Sequence, residues 1–432
     1  MLWNHHTING VVFVGSRHNY PIQAADYNNL YIAHSIFERM GKKVPTLEFG
    51  LLKFDENARR NIERVLDRTY IIAAGEEVEG YQEKWKELFG YQHCVATYSG
   101  TGADTVACKV LYDLHPQAKR SLNLSDNDII VPALAFIAAG SSIVDAGFKP
   151  VFVDIERETL NINPRKIEEK ITYKTRGIMA VHTMGKPCEM DTIVDIARRH
   201  GLYVIEDSCE AHCARYKGTM IGQWGDIATF SSYISHMICS VEGGMIATNN
   251  PTIASIARSL RNHGRRDGST YFEHERLGGN YKMHDLEAAV GLAAVEQCWN
   301  IFYKRKANLY RLLEQTKDLQ EVAIMNIERP YEQVCPHAFT VTIRNPGQYD
   351  PGEMYAYLNN NPIMDIRCKR NFGSMPTQQK AFEFLGHRRG EFPEAEHVGT
   401  YGVHFGIHQY TDVEQIDAAA DVLHLFFNHK KE

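Results

Sequence analysis

Strand-like and helix-like segments alternate along residues 90–250, and this alternation limits the possible folds more than any other feature of the chain. GYQHCVATYSG (90–100) predicts a strand that runs into a glycine-rich turn, and ADTVACKVLYDL (103–114) predicts the helix after it. DIIVPALAF, AAGSSIVDAG and KPVFVDI predict a buried strand, a short helix and a strand, and RGIMAVHTMG, MDTIVDIARRHG and LYVIEDS repeat that order. Near-continuous apolar strands joined by helices are typical of a mostly parallel sheet covered by helices, so we expect an α/β fold.

The character of the sequence changes near residue 300. IFYKRKANLYRLLEQT predicts a long helix, HAFTVTIRN a half-exposed strand, and DVEQIDAAADVLHLFFNHKKE an amphipathic closing helix, whereas LHPQAKRSLNLSDND earlier in the chain predicts a surface loop. A chain of 432 residues suits a large domain with a smaller companion. We therefore predict an N-terminal extension (1–45), a large domain (46–300) and a small C-terminal α/β domain (301–432).

Composition argues against several classes of protein. The formal charge is -6 without a basic stripe, which disfavours a nucleic-acid partner, and no run of about 18 apolar residues predicts a membrane span. The start of the chain lacks a charged region followed by an apolar block, so we expect no secretory signal. Nine cysteines without CxxC pairs fit reduced thiols, and we predict a cytoplasmic protein.

The segment DSCEAHCARY offers the nearest thing to a metal motif. Cys209, His212 and Cys213 lie within five residues, but no second cluster completes a site. An iron–sulfur cluster would need about four cysteines brought together. We interpret these residues as buried side chains near the end of a strand and predict no metal.

Two motifs suggest a ligand site: the first suits a phosphate, and the second could pair with the protonated pyridine nitrogen of a cofactor. Ser99-Gly100-Thr101-Gly102 stands between a strand and a helix, where backbone N–H groups at a helix start and a threonine hydroxyl can bind an anion. Asp207 ends the strand LYVIED, at the edge where ligands bind in open α/β sheets. For the SGTG motif, the alternative is that its glycines merely allow the chain to turn. For Asp207, the alternatives are a helix N-cap or a structural ion pair. Neither GxGxxG nor the P-loop pattern occurs, so a Rossmann or kinase assignment is disfavoured.

Taken together, the motifs resemble a known family. The order SGTG, VPALAF, VFVDI, VIEDS, ATFSS, EGGMIATNN and GGNYKMHDLEAAVG is similar to that of the DegT/DnrJ/EryC1/StrS sugar aminotransferases over residues 50 to 425. The resemblance implies an aspartate-aminotransferase-like fold of type I, a homodimer, and the cofactor pyridoxal 5'-phosphate (PLP) or its amine form, pyridoxamine 5'-phosphate (PMP). It also implies a keto-sugar substrate linked to a nucleotide.

The resemblance assigns roles to individual residues. It implies that most of them contact the cofactor: Thr101, Gly102 and Ser231 the phosphate, Phe136 the pyridine ring face, Asp207 the ring nitrogen, Glu210 the region of the phenolic oxygen, and Asn280 the phosphate of the neighbouring subunit. Relatives often carry Gln or His at position 210, which leaves the role of Glu210 open. Core packing is the alternative for Phe136, and a turn residue for Asn280. Arg367 matches a segment implied to contact the nucleotide sugar; a surface ion pair is the alternative.

His236 occupies the position of the lysine that anchors the cofactor in relatives. The segment ISHMICSVEGGM resembles that of the family's 3-dehydratases, with Met237 in place of a second histidine. Imidazole cannot hold PLP covalently but can move protons near neutral pH. The resemblance therefore implies that glutamate converts PLP to PMP and that His236 acts as the base while the C3 hydroxyl of a 4-keto-6-deoxy sugar is lost. Relatives that add a reductive step carry an iron–sulfur cluster, and this sequence lacks a matching run of cysteines. We therefore expect an enzyme without such a cluster.

Other interpretations remain open at this stage. The chain could be an inactive homologue, or one in which His236 was introduced deliberately. It could be a sugar aminotransferase or another PMP-dependent dehydratase, for instance in antibiotic assembly. It could also be a non-catalytic cofactor-binding protein, although retention of Asp207, Ser231 and Asn280 argues against this. The nucleotide, the sugar and the pathway are not identified by the sequence.

Overall fold

The computed structural model describes residues 4–8, 11–15, 45–68, 70, 73–115, 118, 123–269 and 272–428. Most of the predicted N-terminal extension and part of the predicted surface loop therefore lie outside the described residues. In the described part of that loop, Asn127 and Asp128 are buried.

The secondary structure accounts for most of the segments predicted above. The strands are β1 (Asn4–Ile8), β2 (Val11–Gly15), β3 (Thr46–Leu47), β4 (His93–Thr97), β5 (Asp128–Pro132), β6 (Lys149–Val153), β7 (Thr175–Val181), β8 (Tyr203–Asp207), β9 (Arg215–Tyr216), β10 (Thr219–Met220), β11 (Ile227–Ser231), β12 (Gly244–Thr248), β13 (Ala323–Met325), β14 (Glu332–Gln333), β15 (Ala338–Ile343), β16 (Asp365–Ile366), β17 (Lys369–Arg370) and β18 (Gly402–Gly406). The α-helices are α1 (Glu56–Leu66), α2 (Glu76–Phe89), α3 (Gly100–Leu114), α4 (Ile137–Asp145), α5 (Met190–His200), α6 (Pro251–Arg261), α7 (Asp285–Glu296), α8 (Cys298–Gln315), α9 (Pro351–Asn359), α10 (Met375–Gln378), α11 (Pro393–Tyr401) and α12 (Val413–Asn428).

A seven-stranded sheet with the order β4-β12-β11-β8-β7-β5-β6 forms the centre of the fold. β11, β8, β7, β5 and β6 pair in parallel, and β12 runs antiparallel to both of its neighbours. β4 consequently runs in the same direction as the parallel strands. This confirms the predicted mostly parallel sheet.

Both faces of this sheet are buried, which explains the near-continuous apolar strands. Ile130 and Ile178 belong to a core cluster that also contains Trp85 of α2, whereas Ile129 and Met179 belong to a second cluster with Leu111 of α3. Because successive side chains of a strand point to opposite faces, each strand needs apolar residues at consecutive positions to fill both layers.

A second sheet follows residue 300, with the order β13-β15-β18-β17. α8 and α12 contribute Leu309, Leu312, Ile416 and Phe427 to its apolar cluster. β3, which precedes the large sheet in sequence, pairs in parallel with β16. The domain boundary at residue 300 stays a prediction, and this pairing ties residues 46–47 to the C-terminal region.

The prediction that HAFTVTIRN is half exposed is wrong. All six residues of β15 are buried, because β13 and β18 flank the strand and both of its faces are covered. Phe339, Val341 and Ile343 face the C-terminal apolar cluster, while Thr340 and Thr342 line a small cavity with Met184 of the large-sheet region. The alternation of apolar residues and threonines thus reflects two different packing partners and not solvent on one side.

Among the described residues, no helix combines the length and the apolar character needed to cross a bilayer.

Candidate active site

Parallel strands place the residues that follow them at one edge of the sheet, and the predicted site residues follow such strands. Ser99 follows β4, Phe136 follows β5, Asp207 ends β8 and Ser231 ends β11. β11 and β8 are direct neighbours, with Thr229 opposite Asp207 in the register. The topology therefore brings motifs that lie far apart in sequence to the carboxyl edge of the sheet, where ligands bind in this class of fold.

The glycine-rich turn forms the start of α3. Ser99 is the N-cap, and its hydroxyl oxygen accepts a hydrogen bond from the Gly102 N–H at 3.0 Å. Helix geometry leaves the N–H groups of Gly100 and Thr101 without intrahelical acceptors, and they lie at the positive end of the helix dipole. Thr101 is exposed. Two N–H groups at the start of α3 are thus placed to bind an anion.

Gly100 allows this turn to approach Ser231 closely. A Cβ atom at Gly100 would lie 2.6 Å from the Cβ of Ser231 and 3.1 Å from its hydroxyl oxygen. The predicted phosphate serine and the start of α3 therefore pack directly against each other, and any larger residue at position 100 would force them apart.

Asp207 is buried at the edge of the sheet beside a second acid. Its Oδ1 atom accepts a hydrogen bond from the Cys209 N–H at 3.1 Å, and no α-helix begins there, so the N-cap interpretation does not hold. One carboxylate oxygen each of Asp104 and Asp207 and the Sγ atom of Cys209 lie within 4.8 Å of one another. Asp104 accepts a hydrogen bond from the Thr229 hydroxyl at 2.6 Å.

Burial changes the acidity of both carboxyl groups. Burial raises the pKa of Asp207. Burial and the nearby charge of Asp207 raise the pKa of Asp104 well above its usual range. Two adjacent buried carboxyl groups cannot both ionise cheaply, and the larger rise in pKa falls on Asp104, so Asp104 is the first of the pair to take a proton as pH falls. A carboxylate in this position suits a protonated ring nitrogen.

Glu210 lies in a buried turn after β8. Its Oε2 atom accepts a hydrogen bond from the Met184 N–H at 2.6 Å, and its Oε1 atom lies 3.5 Å from Nε2 of His337. Burial raises the pKa of Glu210 to about 8, with a smaller contribution from the charge of Asp207. The side chain is therefore mainly protonated at neutral pH and can donate a hydrogen bond, as a glutamine at this position would.

His236 stands in the irregular segment between β11 and β12. Its backbone N–H donates to the Tyr233 carbonyl oxygen at 2.9 Å, and the Nδ1 atom of its ring lies 3.5 Å from the Ser235 hydroxyl oxygen. Ser231 and His236 are thus held on one short segment at the carboxyl edge of the sheet, as the resemblance implies.

Two further histidines surround His236. The ring of His337 lies 4.9 Å from that of His236, and the ring of His212 lies 6.2 Å away. His212 is buried and packs on Phe230 at 5.5 Å, which is the structural role predicted for it. His337, by contrast, lies between His236 and Glu210 and joins two of the predicted site residues.

The pKa of His236 differs from the value of about 6.5 expected for a free imidazole. Burial, and to a smaller extent the charge of Arg305, lower it to about 3. His236 is consequently neutral at cellular pH and its nitrogen can accept a proton. A bound phosphate group would bring negative charge close to the ring and raise this pKa, which would make the base stronger.

Three predicted site residues lie at the surface. Phe136 is 57% exposed, which excludes core packing and leaves its ring face available, with Phe372 at 5.8 Å. Asn280 is exposed and pairs with Asn262 in an isolated bridge. Arg367 is 57% exposed and forms an ion pair with Asp365 at 2.9 Å. The alternative for Arg367, a surface ion pair, describes what is seen, and its contact with substrate stays a prediction.

Cys209, His212 and Cys213 do not converge on one point among the described residues. Cys209 lies instead with Asp104 and Asp207 in a group whose donor atoms could hold a metal ion, so the absence of a metal stays a prediction. Cys209 faces Asp207, whereas the Sγ atom of Cys213 lies 3.3 Å from that of Cys298. The interpretation of Cys213 and His212 as buried residues near the end of a strand agrees with their exposures of 1%.

Sequence reasoning missed three residues that shape this site. Asp104 could have been noticed as an acid among the apolar residues of α3, directly after the glycine-rich turn. His337 and Arg305 gave no comparable signal, because only the folded chain brings them to His236. Arg305 donates hydrogen bonds to the carbonyl oxygens of Ser235 and His236.

Comparison with known proteins gives consistent matches. The profile of the DegT/DnrJ/EryC1/StrS aminotransferase family matches residues 53–424. GDP-perosamine synthase of Escherichia coli O157:H7 is 29% identical over 370 residues, which are 85% of this chain and 95% of that protein. GDP-4-keto-6-deoxy-D-mannose 3-dehydratase of Yersinia pseudotuberculosis is 26% identical over 389 residues, or 86% of this chain and 96% of that protein.

A solved structure has the same fold. The E. coli GDP-4-keto-6-deoxy-D-mannose-3-dehydratase with bound hydrated PLP superposes with a TM-score of 0.78 at 24% identity, covering 88% of this chain and all of that one (100%). This confirms the predicted aspartate-aminotransferase-like fold with its large, mostly parallel sheet.

Proposed function

We propose that this chain, which belongs to the DegT/DnrJ/EryC1/StrS aminotransferase family, removes the C3 hydroxyl of a nucleotide-linked 4-keto-6-deoxy sugar. Its membership makes it a PLP-dependent enzyme of nucleotide-sugar metabolism, either an aminotransferase or a 3-dehydratase. One feature of the sequence supports the 3-dehydratase: the resemblance puts a histidine, His236, at the position of the lysine that anchors the cofactor in relatives.

The residues at the carboxyl edge fit a pyridoxal cofactor. The phosphate cradle would be formed by the N–H groups at the start of α3 and by Ser231, which the missing Cβ atom of Gly100 allows to lie side by side. Asp207, the less strongly shifted acid of the buried pair, would hold a proton on the ring nitrogen. Phe136 would cover one face of the ring with its exposed side chain.

The cofactor, when bound, supplies an electron sink that allows a proton and a neighbouring hydroxyl to leave. His236 would take the proton from the C4′ carbon, because its neutral imidazole stands where a lysine amine would otherwise reach that atom. Glu210, mainly protonated, would donate a hydrogen bond toward the phenolic oxygen. Without a lysine at position 236, these side chains would hold the cofactor by noncovalent contacts alone.

The remaining partners are also proposals. Glutamate would supply the amino group and the electrons, and ammonia would be released together with a sugar that lacks its C3 hydroxyl. Asn280, exposed on the surface, would reach the phosphate of a neighbouring subunit in a homodimer. Arg367 would have to leave its ion pair with Asp365 to bind a diphosphate.

Sugar amination is the second candidate function. It is favoured by the match to a GDP-perosamine synthase along most of both chains. Amination would still require a group that returns a proton to the sugar carbon bearing the new amino group. His236 could do this without a covalent link to the cofactor. The product therefore separates the two reactions.

The test supplies the purified protein with PLP, glutamate and a panel of nucleotide-linked 4-keto-6-deoxy sugars. We expect a product lighter than the substrate by one oxygen atom, accompanied by free ammonia. An amino sugar without ammonia would overturn the proposal in favour of amination. The His236→Asn variant serves as the control for adventitious chemistry of the free cofactor.

A further inference from the structure

Arg305 is a buried cation on α8 whose side chain is 1% exposed. Its three donors reach two different segments. Nη1 donates to the Ser235 carbonyl oxygen at 3.0 Å, Nη2 to the His236 carbonyl oxygen at 3.2 Å, and Nε to Oε1 of Gln409 at 2.8 Å. The fork of the guanidinium thus binds the main chain of the segment that carries His236.

No carboxylate of the described residues lies within ion-pair distance of Arg305. The polar groups that face it are the thiols of Cys239, Cys298 and Cys335 and the hydroxyl of Tyr410. Burial lowers the pKa of Arg305 to about 10, so the guanidinium keeps its charge at neutral pH. Neutral carbonyl and amide oxygens would satisfy its donors but would not cancel that charge.

Within the part of the chain that the structure describes, Arg305 is the one permanent charge that lowers the pKa of His236. The elements around His236 provide three residues: Arg305 from α8, His337 from the position just before β15, and His212 from the turn after β8. Its own segment contributes the Tyr233 ring, 6.1 Å away, and the Ser235 hydroxyl. Burial lowers the pKa of both His212 and His337 well below the usual range, so both are neutral at cellular pH.

We propose that Arg305 is a positioning residue that fixes the main chain of His236 and keeps its imidazole unprotonated until the reaction. The proposal rests on the proposed role of His236 as a base. A neutral donor could hold the two carbonyl oxygens equally well, but it would not oppose protonation of the ring. The lowered pKa of His236, caused first by burial and then by Arg305, agrees with this role.

The test compares Arg305→Gln, which removes the charge, with Arg305→Lys, which keeps the charge and loses the fork. The imidazole of His236 is titrated by NMR in the cofactor-loaded protein, and its signal is assigned with His236→Asn. In Arg305→Gln we expect protonation to begin about one to two pH units higher than in the wild type. In Arg305→Lys we expect the titration to stay near that of the wild type.

Turnover provides a separate readout. Both variants should lose about 10- to 100-fold in turnover because the His236 segment is no longer held by two hydrogen bonds. The acid limb of the pH profile of turnover should move to higher pH in Arg305→Gln but not in Arg305→Lys. Lys306→Gln is the matched control, since it deletes a neighbouring positive charge of α8 that pairs with Glu328; both the profile and the His236 titration should be unchanged.

Equal losses in both variants with an unshifted His236 titration would overturn the proposal and leave Arg305 a structural clamp. If Arg305→Gln does not fold, the wild type without cofactor or substrate decides: a His236 ring that titrates near its ordinary pKa of about 6.5 contradicts the proposal. The NMR titration needs no turnover, so it still tests Arg305 if the chain proves to catalyse amination.

Discussion

At the scale of single residues, His236 has to meet two requirements. It must be neutral to accept a proton, which burial and Arg305 ensure, and it must hold that proton long enough to pass it on. The negative charge of a bound cofactor phosphate and a nucleotide diphosphate would favour the second step. The strength of the base should therefore depend on what is bound.

The first prediction concerns the removal of this base. His236→Asn keeps a similar volume, so PMP should bind with nearly unchanged affinity while turnover falls about 10²–10⁴-fold. Absorbance titration measures the first quantity and initial rates measure the second. Undiminished turnover would mean that another group moves the proton, and Glu210 would be the first residue to test.

The second prediction concerns Glu210 and the pH dependence of stability. Its pKa of about 8 in the folded chain lies above its ordinary value of 4.5. Between these values the folded state binds the extra proton, so this carboxyl makes the free energy of unfolding fall as pH rises, by about 1.4 kcal/mol per pH unit. Glu210→Gln should remove that slope, and the gain in stability should therefore grow with pH.

Urea unfolding between about pH 5 and pH 7.5 checks this, within the range where the shift acts. The wild type and the variant should diverge as pH rises, with Glu210→Gln the more stable. Parallel curves for the two proteins would contradict the raised pKa of Glu210.

At the scale of secondary-structure elements, the close approach of α3 to β11 defines the predicted phosphate cradle. Gly100→Ala would place a methyl group 2.6 Å from the Cβ of Ser231. We expect the affinity for PLP to fall at least tenfold, because the turn must shift away from Ser231. Fluorescence or absorbance titration with PLP measures the change.

Gly80→Ala is the matched control for this substitution. Gly80 lies within α2, and a Cβ atom there would make an ordinary contact of 3.9 Å with Leu292. This variant should bind PLP as the wild type does and gain about 0.5–1 kcal/mol in stability. If both variants bind PLP equally well, the cradle does not hold the phosphate.

The elements of the large sheet could be predicted because each is specified locally. β5, β7 and β8 are apolar runs bounded by turns, and α3 and α5 follow helical periodicity. β15 was misjudged because its threonines face another part of the protein, which a local pattern cannot distinguish from solvent. The order of the motifs identifies Asp207, Ser231 and His236 as candidate site residues. Arg305 and His337 could not be identified in this way, because their place in the site depends on contacts between distant segments.

At the scale of the whole molecule, the position of Asn280 predicts a homodimer with shared sites. Hybrids of Asn280→Ala and His236→Asn subunits should contain one intact site and one doubly damaged site. Random exchange in an equal mixture makes about half of the dimers hybrids, so mixing the two weakly active variants should restore up to about a quarter of the wild-type activity. Sedimentation velocity provides the independent check, and a monomer that binds PLP fully would contradict the prediction.

The central claim is that the chain binds its cofactor without a covalent link, because His236 replaces the anchoring lysine. Borohydride reduction of the PLP-loaded protein, followed by peptide mass mapping of the whole chain, tests this claim most directly. We predict that no pyridoxyl group is found on residue 236 or at stoichiometric yield on any lysine, whereas His236→Lys carries it at position 236. A stoichiometric pyridoxyl adduct on a lysine of the wild type would contradict the account and indicate ordinary transamination.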